Sequence, residues 1–183
     1  KGIHEDEAIL IAKELEKLGV HALVLSAGFV SKAPMEVMRG AMPIKTMAYY
    51  MNMWKFWWLK LGLRIAGKIV VPTVPYKDAY FYETAMKFRE NLSVPLIYVG
   101  GMVAKDDMEK VLNSGFVAFQ MARALINDTD FVNKLKNGEL TKSPCKHSNY
   151  CIGRMYSEDM RCHHCVDEMP NRLKREIKKL EGK

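Results

Sequence analysis

Several features that would assign the chain to other protein classes are missing from its 183 residues. No run of 18 or more apolar residues occurs, so the sequence predicts no transmembrane helix. Residues 1–7 are polar and no apolar segment follows them, so we expect no secretory signal there. Cysteine is scarce, and all four cysteines lie between Cys145 and Cys165. This clustering does not suit a disulfide scaffold and favours a reducing, cytoplasmic compartment.

Acidic residues are fewer than basic ones, which gives a formal net charge of +7. The basic residues are spread along the chain, with one cluster at Arg172–Lys179 where interspersed acids predict a solvated C-terminal helix. No nucleic-acid-binding motif accompanies the charge, so we expect no nucleic-acid partner. The hydrophobic share of 49% argues against disorder. A chain of this length can therefore bury a sizeable core.

A helix followed by a short apolar strand recurs along the chain. Apolar residues at helical spacing predict helices near 8–18, 80–90, 105–112 and 131–135. Continuous apolar runs predict strands at His21–Leu25, Leu96–Val99 and Phe116–Met121. Such alternation indicates an α/β fold with parallel strands and right-handed crossovers.

The segment 29–77 interrupts this alternation and contains all three tryptophans and six of the 13 methionines. Within it, Met47–Leu63 is predicted to be helical and is rich in aromatic residues. Three interpretations are open for the segment. It packs against the sheet or a neighbouring subunit, it forms a lid over a ligand pocket, or it lies on a membrane with Lys55, Lys60 and Arg64 near the headgroups.

The carboxyl ends of the predicted strands are the expected ligand-binding positions in a parallel α/β fold. Gly100 and Gly101 follow the second strand, and their backbone N–H groups are suited to bind phosphate oxygens. Arg123 follows the third strand and offers a bidentate cation for the same phosphate. The alternative is an ordinary glycine turn and a structural ion pair.

These strand ends carry a resemblance to a known family. Val94–Gly101 and Phe116–Ile126 resemble the last two strands of the old yellow enzyme family, more narrowly the NADH:flavin oxidoreductases related to bacterial 2,4-dienoyl-CoA reductase. Asn127–Val132 is similar to the turn that follows, with Thr129 where proline is usual. The resemblance implies a (β/α)8 TIM barrel that binds FMN at the carboxyl ends of its strands. Gly100, Gly101, Ala122 and Arg123 then correspond to the FMN phosphate site.

The resemblance covers only about the last three βα units of such a barrel. It therefore implies that the N-terminal half of the barrel precedes Lys1, and that residues 1–140 are barrel and residues 141–183 a Cys-rich loop and helix. In that family, NAD(P)H reduces the flavin, and flavin N5 passes a hydride to a small molecule with an activated alkene. No residue here can be assigned as catalytic, and a homo-oligomer is one assembly that the resemblance allows.

The cysteine segment has three interpretations. By spacing alone, Cys145, Cys151, Cys162 and Cys165 with the nearby histidines are typical of a zinc site. The resemblance offers a [4Fe–4S] cluster, which iron–sulfur members hold with Cys-x-x-Cys-Asn-x-x-Cys and a later cysteine. Ser148 stands at the second cysteine position of that pattern, which favours the third interpretation, a loop without metal.

The sequence thus predicts the C-terminal portion of an FMN-dependent NAD(P)H oxidoreductase of the ene-reductase type. Two alternatives are a phosphate-ligand-binding half-barrel without redox chemistry and a zinc-binding interaction module.

Overall fold

The structure is a computed structural model that describes residues 3–26, 38–51, 57–71, 73–155 and 158–182. The chain forms two compact units, each assembled from three segments. The first unit comprises residues 1–37, 77–122 and 131–143, and the second comprises residues 38–76, 123–130 and 144–183. Segments 29–77 and 141–183, which the sequence set apart from the rest, supply most of the second unit.

The helices and strands follow one another in a simple order. They are α1 (Glu5–Lys17), β1 (Leu23–Leu25), α2 (Ile44–Tyr50), α3 (Trp57–Val70), α4 (Tyr82–Asn91), β2 (Leu96–Val99), α5 (Lys105–Asn113), β3 (Ala118–Gln120), α6 (Arg123–Asn127), α7 (Phe131–Lys136), α8 (Tyr150–Arg154), a 3-10 turn (His163–Cys165) and α9 (Asn171–Glu181). None of the helices in the described ranges is both long and apolar enough to cross a bilayer.

The first unit is built on a parallel sheet with the strand order β1-β2-β3. In its register Leu23 lies beside Leu96, and Tyr98 lies beside Phe119. β2 pairs with both other strands, and its Leu96 and Tyr98 are completely buried. The predicted α/β class with parallel strands is therefore confirmed. The eight-stranded barrel stays a prediction.

The predicted elements of the first unit are confirmed in type and approximate position. β2 has the predicted bounds, whereas β1 and β3 are shorter than the apolar runs that predicted them. Gly19 follows α1 with a φ of 84°, as expected for a glycine after a helix end. The strands are short because only residues that pair with β2 meet the hydrogen-bonding pattern of a sheet.

The second unit has a helical core of its own. Two tyrosines and three residues at or near the C-terminal helix form this core, with Val166 packed against it: Tyr50, Tyr150, Met169, Leu173 and Ile177. The hydroxyls of Tyr50 and Tyr150 share a hydrogen bond of 2.7 Å inside it. α2 is the central helix of the unit, since it packs against α3, α8 and α9.

Two predictions for this unit need correction. The predicted helix Met47–Leu63 is wrong as one continuous helix, because α2 ends at Tyr50 and Met51 has an extended backbone. The packing of Tyr50 in the core fixes that end, and the apolar sequence gives no signal of it. α9 exists as predicted but is not simply solvated, because Leu173 and Ile177 are buried.

Candidate functional site

The Gly100–Gly101 pair closes β2 with backbone conformations that favour glycine. Their φ angles are 133° and 76°. A Cβ on Gly100 would lie 2.9 Å from Phe81 Cβ, and one on Gly101 would lie 2.9 Å from the Ala79 nitrogen. Both glycines are therefore needed for the close approach of residues 79–81.

Tyr98 stabilises the same strand end through hydrogen bonds of its side chain. Its buried hydroxyl donates a hydrogen bond of 2.7 Å to the Gly100 carbonyl and accepts one of 3.1 Å from the Phe81 N–H. The Ala79 N–H donates to the Gly101 carbonyl at 3.1 Å. The close packing of residues 79–81 is sufficient to explain why glycine stands at positions 100 and 101. Contact of their N–H groups with a phosphate therefore stays a prediction.

The other two predicted phosphate-site residues are neighbours in sequence. Ala122 is exposed just after β3 and belongs to the first unit, as do Gly100 and Gly101. Arg123 begins α6 and belongs to the second unit.

Neutral groups hold the Arg123 guanidinium. Its Nη1 donates to Asn149 Oδ1 at 2.8 Å and to the Arg39 carbonyl, and the guanidinium lies 5.3 Å from the centre of the Tyr76 ring. No carboxylate of the described residues forms an ion pair with it. A cation whose partners are all neutral is suited to an anionic ligand such as a phosphate.

Asn149 organises this part of the second unit, and the sequence did not single out its role. The side chain accepts from Arg123 and donates through Nδ2 to the Met38 and Ala41 carbonyls at 2.7 and 2.9 Å. It is 2% exposed and has a φ of 55°. Asparagine adopts this left-handed conformation more readily than most residues, which is the signal that could have identified it.

Three of the four cysteines line one small cavity of about 20 Å³ in the second unit. Cys145 is partly buried, Cys151 and Cys162 are buried, and Arg123 and His163 contribute to the same lining. The fourth cysteine, Cys165, is exposed and is not part of the lining. The structure therefore brings together three of the four candidate metal ligands.

The thiols of Cys145 and Cys151 are held in the protonated form. Burial raises the pKa of both thiols, and that of Cys151 reaches about 11 because the neighbouring Cys145 adds to the effect. The Arg123 charge acts in the opposite direction but has the smaller effect on the pKa. Protonated thiols are weak nucleophiles and must lose their protons before they can bind a metal.

The cavity does not fit a [4Fe–4S] cluster in this arrangement. A cavity of about 20 Å³ has room for one water molecule, and a cluster needs four ligands where three thiols are present. Zinc is smaller, and ligand atoms of Cys162, His163 and His164 lie within 4.8 Å of one another. The centres of the two imidazole rings lie 3.9 Å apart with an angle of 38° between their planes, and a zinc ion at these three residues stays a prediction.

A second cavity in this unit, of about 650 Å³, falls in the size range of ligand pockets. Its lining is mostly apolar and includes Met42, Ile44, Val71, Pro75 and Leu180. Tyr76 and His147 stack at 3.4 Å on its wall, beside Lys146. The sequence did not indicate a pocket here, because the lining comes from segments far apart in the chain.

The comparisons with known proteins give one informative relative. A 4,4'-dithiodibutanoate disulfide reductase from Rhodococcus erythropolis is 32% identical to the chain over 158 residues. That relative is an oxidoreductase. The match covers 86% of this chain but only 38% of the relative. No protein-family model and no solved structure matches the chain.

Proposed function

We propose that this chain is part of an FMN-dependent NAD(P)H oxidoreductase. The observation that carries the proposal is the similarity to a disulfide reductase over 86% of the chain. The long match spans both compact units, so it does not depend on a single motif. The parallel sheet supports the proposal, since ligands bind at the carboxyl ends of such strands.

Arg123 is the residue proposed to hold the FMN phosphate. Its described partners are neutral, and it lies at the start of α6 directly after the end of β3. Gly100, Gly101 and Ala122 are proposed to contribute backbone contacts to the phosphate. When bound, FMN would supply the hydride chemistry, and the protein would bind and orient it.

Two substrate classes are candidates. The first is a small molecule with an activated alkene, as expected for the ene-reductase type. The second is a disulfide, which the name of the Rhodococcus relative favours. Disulfide reduction would consume one NAD(P)H and one proton, break one S–S bond and release two thiols.

The chain's own buried thiols are not proposed to attack a disulfide. The pKa of Cys151 near 11 leaves about one thiol in ten thousand ionised at neutral pH. A disulfide substrate would therefore take its electrons from the flavin. The lid remains a prediction, since residues 27–37 and 52–56 lie outside the described residues.

Absorbance and turnover test the proposal. We expect the purified enzyme of which this chain is part to bind FMN, with a flavin band near ~450 nm, and to oxidise NAD(P)H when a disulfide or an α,β-unsaturated ketone is added. Arg123→Ala should weaken FMN binding at least about tenfold, because one phosphate cation is lost. Asn149→Gly keeps the Arg123 charge and removes the Asn149 side chain that accepts a hydrogen bond from it. Comparison of the two variants therefore distinguishes the effect of the charge on FMN binding from the effect of how Arg123 is held.

The controls are chosen within the same chain. Arg172→Ala removes an exposed cation from α9 and should leave FMN affinity unchanged. Cys151→Ala should retain activity toward a disulfide. Failure to bind FMN, together with no NAD(P)H oxidation with either substrate class, would contradict the proposal and favour the non-redox alternatives.

A further inference from the structure

α3 is apolar on two opposite faces. On the inner face, Gly67 is buried, and a Cβ there would lie 2.6 Å from Cγ2 of Ile44 on α2. The helix backbone therefore rests directly on α2, and only glycine allows this approach.

The outer face carries large apolar side chains that are largely exposed to solvent. They are 48–88% exposed: Trp57, Trp58, Leu61, Ile65 and Ile69. Four-residue steps advance about 40° around a helix, so these side chains form one stripe about 120° wide. A surface helix of a soluble protein has a polar face opposite its buried one, and α3 does not. Contiguous exposed apolar patches mark an interaction surface.

Charge identifies what covers this stripe. Lys60, Arg64 and Lys68 each stand one residue before an apolar position of the stripe. The helix rotation puts positions 64 and 68 at the Trp57 edge of the stripe and position 60 between that edge and Gly67. The sequence has no Asp or Glu between Glu36 and Asp78. The covering partner is therefore both apolar and negatively charged over the length of the helix.

An anionic lipid surface has these two properties in the required arrangement. Amphipathic helices of this kind lie in the headgroup region with their apolar face toward the acyl chains and their Lys and Arg residues near the phosphates. Tryptophan is enriched at that depth, and Trp57 and Trp58 begin the helix. The 14 residues of α3 span about 21 Å, which suits a helix lying on a bilayer and is too short to cross one.

We propose that α3 docks this protein on an anionic lipid bilayer through the stripe from Trp57 to Ile69. The inference does not depend on the proposed oxidoreductase function. It selects the membrane interpretation of the aromatic segment for residues 57–70.

The tryptophans make the docking measurable without a label. All three lie at positions 54, 57 and 58, so tryptophan fluorescence, excited apart from that of the eight tyrosines, reports on this segment alone. With vesicles that contain about one third phosphatidylglycerol, we expect the chain to co-sediment and its emission to shift to the blue. With phosphatidylcholine vesicles alone, or at high salt, binding should fall at least about tenfold because the charge attraction is lost.

Two double variants test the two parts of the surface. Ile65→Glu with Ile69→Glu should abolish vesicle binding, since both side chains enter the apolar region. Lys60→Glu with Lys68→Glu should reduce binding by about fivefold for each charge removed. The matched control is Leu10→Glu on α1 with Leu18→Glu directly after α1, two apolar side chains exposed by 63% and 81%. This control should bind vesicles like the unaltered chain. Circular dichroism checks that each variant folds.

Other occupants of the stripe give distinct results. If the chain self-associates and Ile65→Glu with Ile69→Glu makes it monomeric without changing vesicle binding, a second copy covers α3. If the tryptophans resist a soluble quencher before vesicles are added, protein already covers them. Either result, or a lack of binding to anionic vesicles, would overturn the proposal.

Discussion

At the scale of single residues, Asn149 combines two demands that few side chains meet. It has a left-handed backbone and side-chain hydrogen bonds to Arg123, Met38 and Ala41 in a buried position. Replacement by alanine removes the bonds and adds backbone strain, while replacement by glycine removes the bonds only.

We therefore expect Asn149→Ala to lower the free energy of unfolding by about 3 kcal/mol and Asn149→Gly to lower it by about 1 kcal/mol less. Urea unfolding of the two variants measures the difference. Equal losses for both variants would mean that the backbone at residue 149 is not strained.

Arg123 shows what could and could not be predicted from sequence at this scale. The position of Arg123 after a strand end could be predicted, because an apolar run in the sequence locates the strand that precedes it. Its partners could not, since Arg39, Tyr76 and Asn149 come from distant segments. The cysteines followed the same pattern: their density predicted a cluster, but only burial shows that Cys165 lies apart from the other three.

At the scale of elements, α9 supplies the cap that α2 lacks. The N-terminus of α2 follows Pro43, which has no side-chain group to cap it. Glu176 of α9 instead accepts the Lys45 and Thr46 N–H groups at 2.9 and 2.8 Å and the Thr46 hydroxyl at 2.9 Å. A carboxylate at this position also interacts favourably with the helix dipole.

Glu176→Gln should lower the free energy of unfolding by about 1 kcal/mol, and Glu176→Ala by about 2 kcal/mol. Glutamine keeps one acceptor oxygen and alanine keeps none. Thermal unfolding of the two variants, with Lys174→Ala on the exposed face of α9 as the control, measures the series. A loss for Lys174→Ala as large as that for Glu176→Ala would argue against a capping role.

Element prediction was more successful in the first unit than in the second. Short apolar strands bounded by glycine, such as β2, are specified locally, so their positions could be read directly. α2 and α8 are short helices whose ends depend on the packing of Tyr50 and Tyr150, which are 100 residues apart. Local sequence patterns contain no information about such pairs.

At the scale of the whole molecule, buried thiols and a buried tyrosine hydroxyl make the free energy of unfolding depend on pH. Burial raises the pKa of Cys145, Cys151 and Tyr150 in the folded chain. The folded state therefore holds these protons more tightly than the unfolded state. The stability that results is present in full below pH 9 and is lost as the pH rises through about 11.

We expect the free energy of unfolding to fall by about 2 kcal/mol or less per group over that range. Cys151→Ala should make the fall shallower, while Cys165→Ala, which removes an exposed thiol, should leave it unchanged. Urea titrations at several pH values measure the slope. A slope that is the same in the unaltered chain and in Cys151→Ala would contradict this account.

The interleaving of the two units has a consequence for synthesis on the ribosome. All three segments of the first unit have been made once residue 143 is added, but the second unit still lacks residues 144–183. The Thr46 N–H donates a hydrogen bond to Glu176, which lies 130 residues later in the chain. At translation speeds of about 5–20 residues per second, the inner faces of α2 and α3 wait roughly five to 25 seconds for the helices that complete their unit. During that interval α2 and α3 expose their apolar residues, and an early membrane contact or a chaperone would protect them from aggregation.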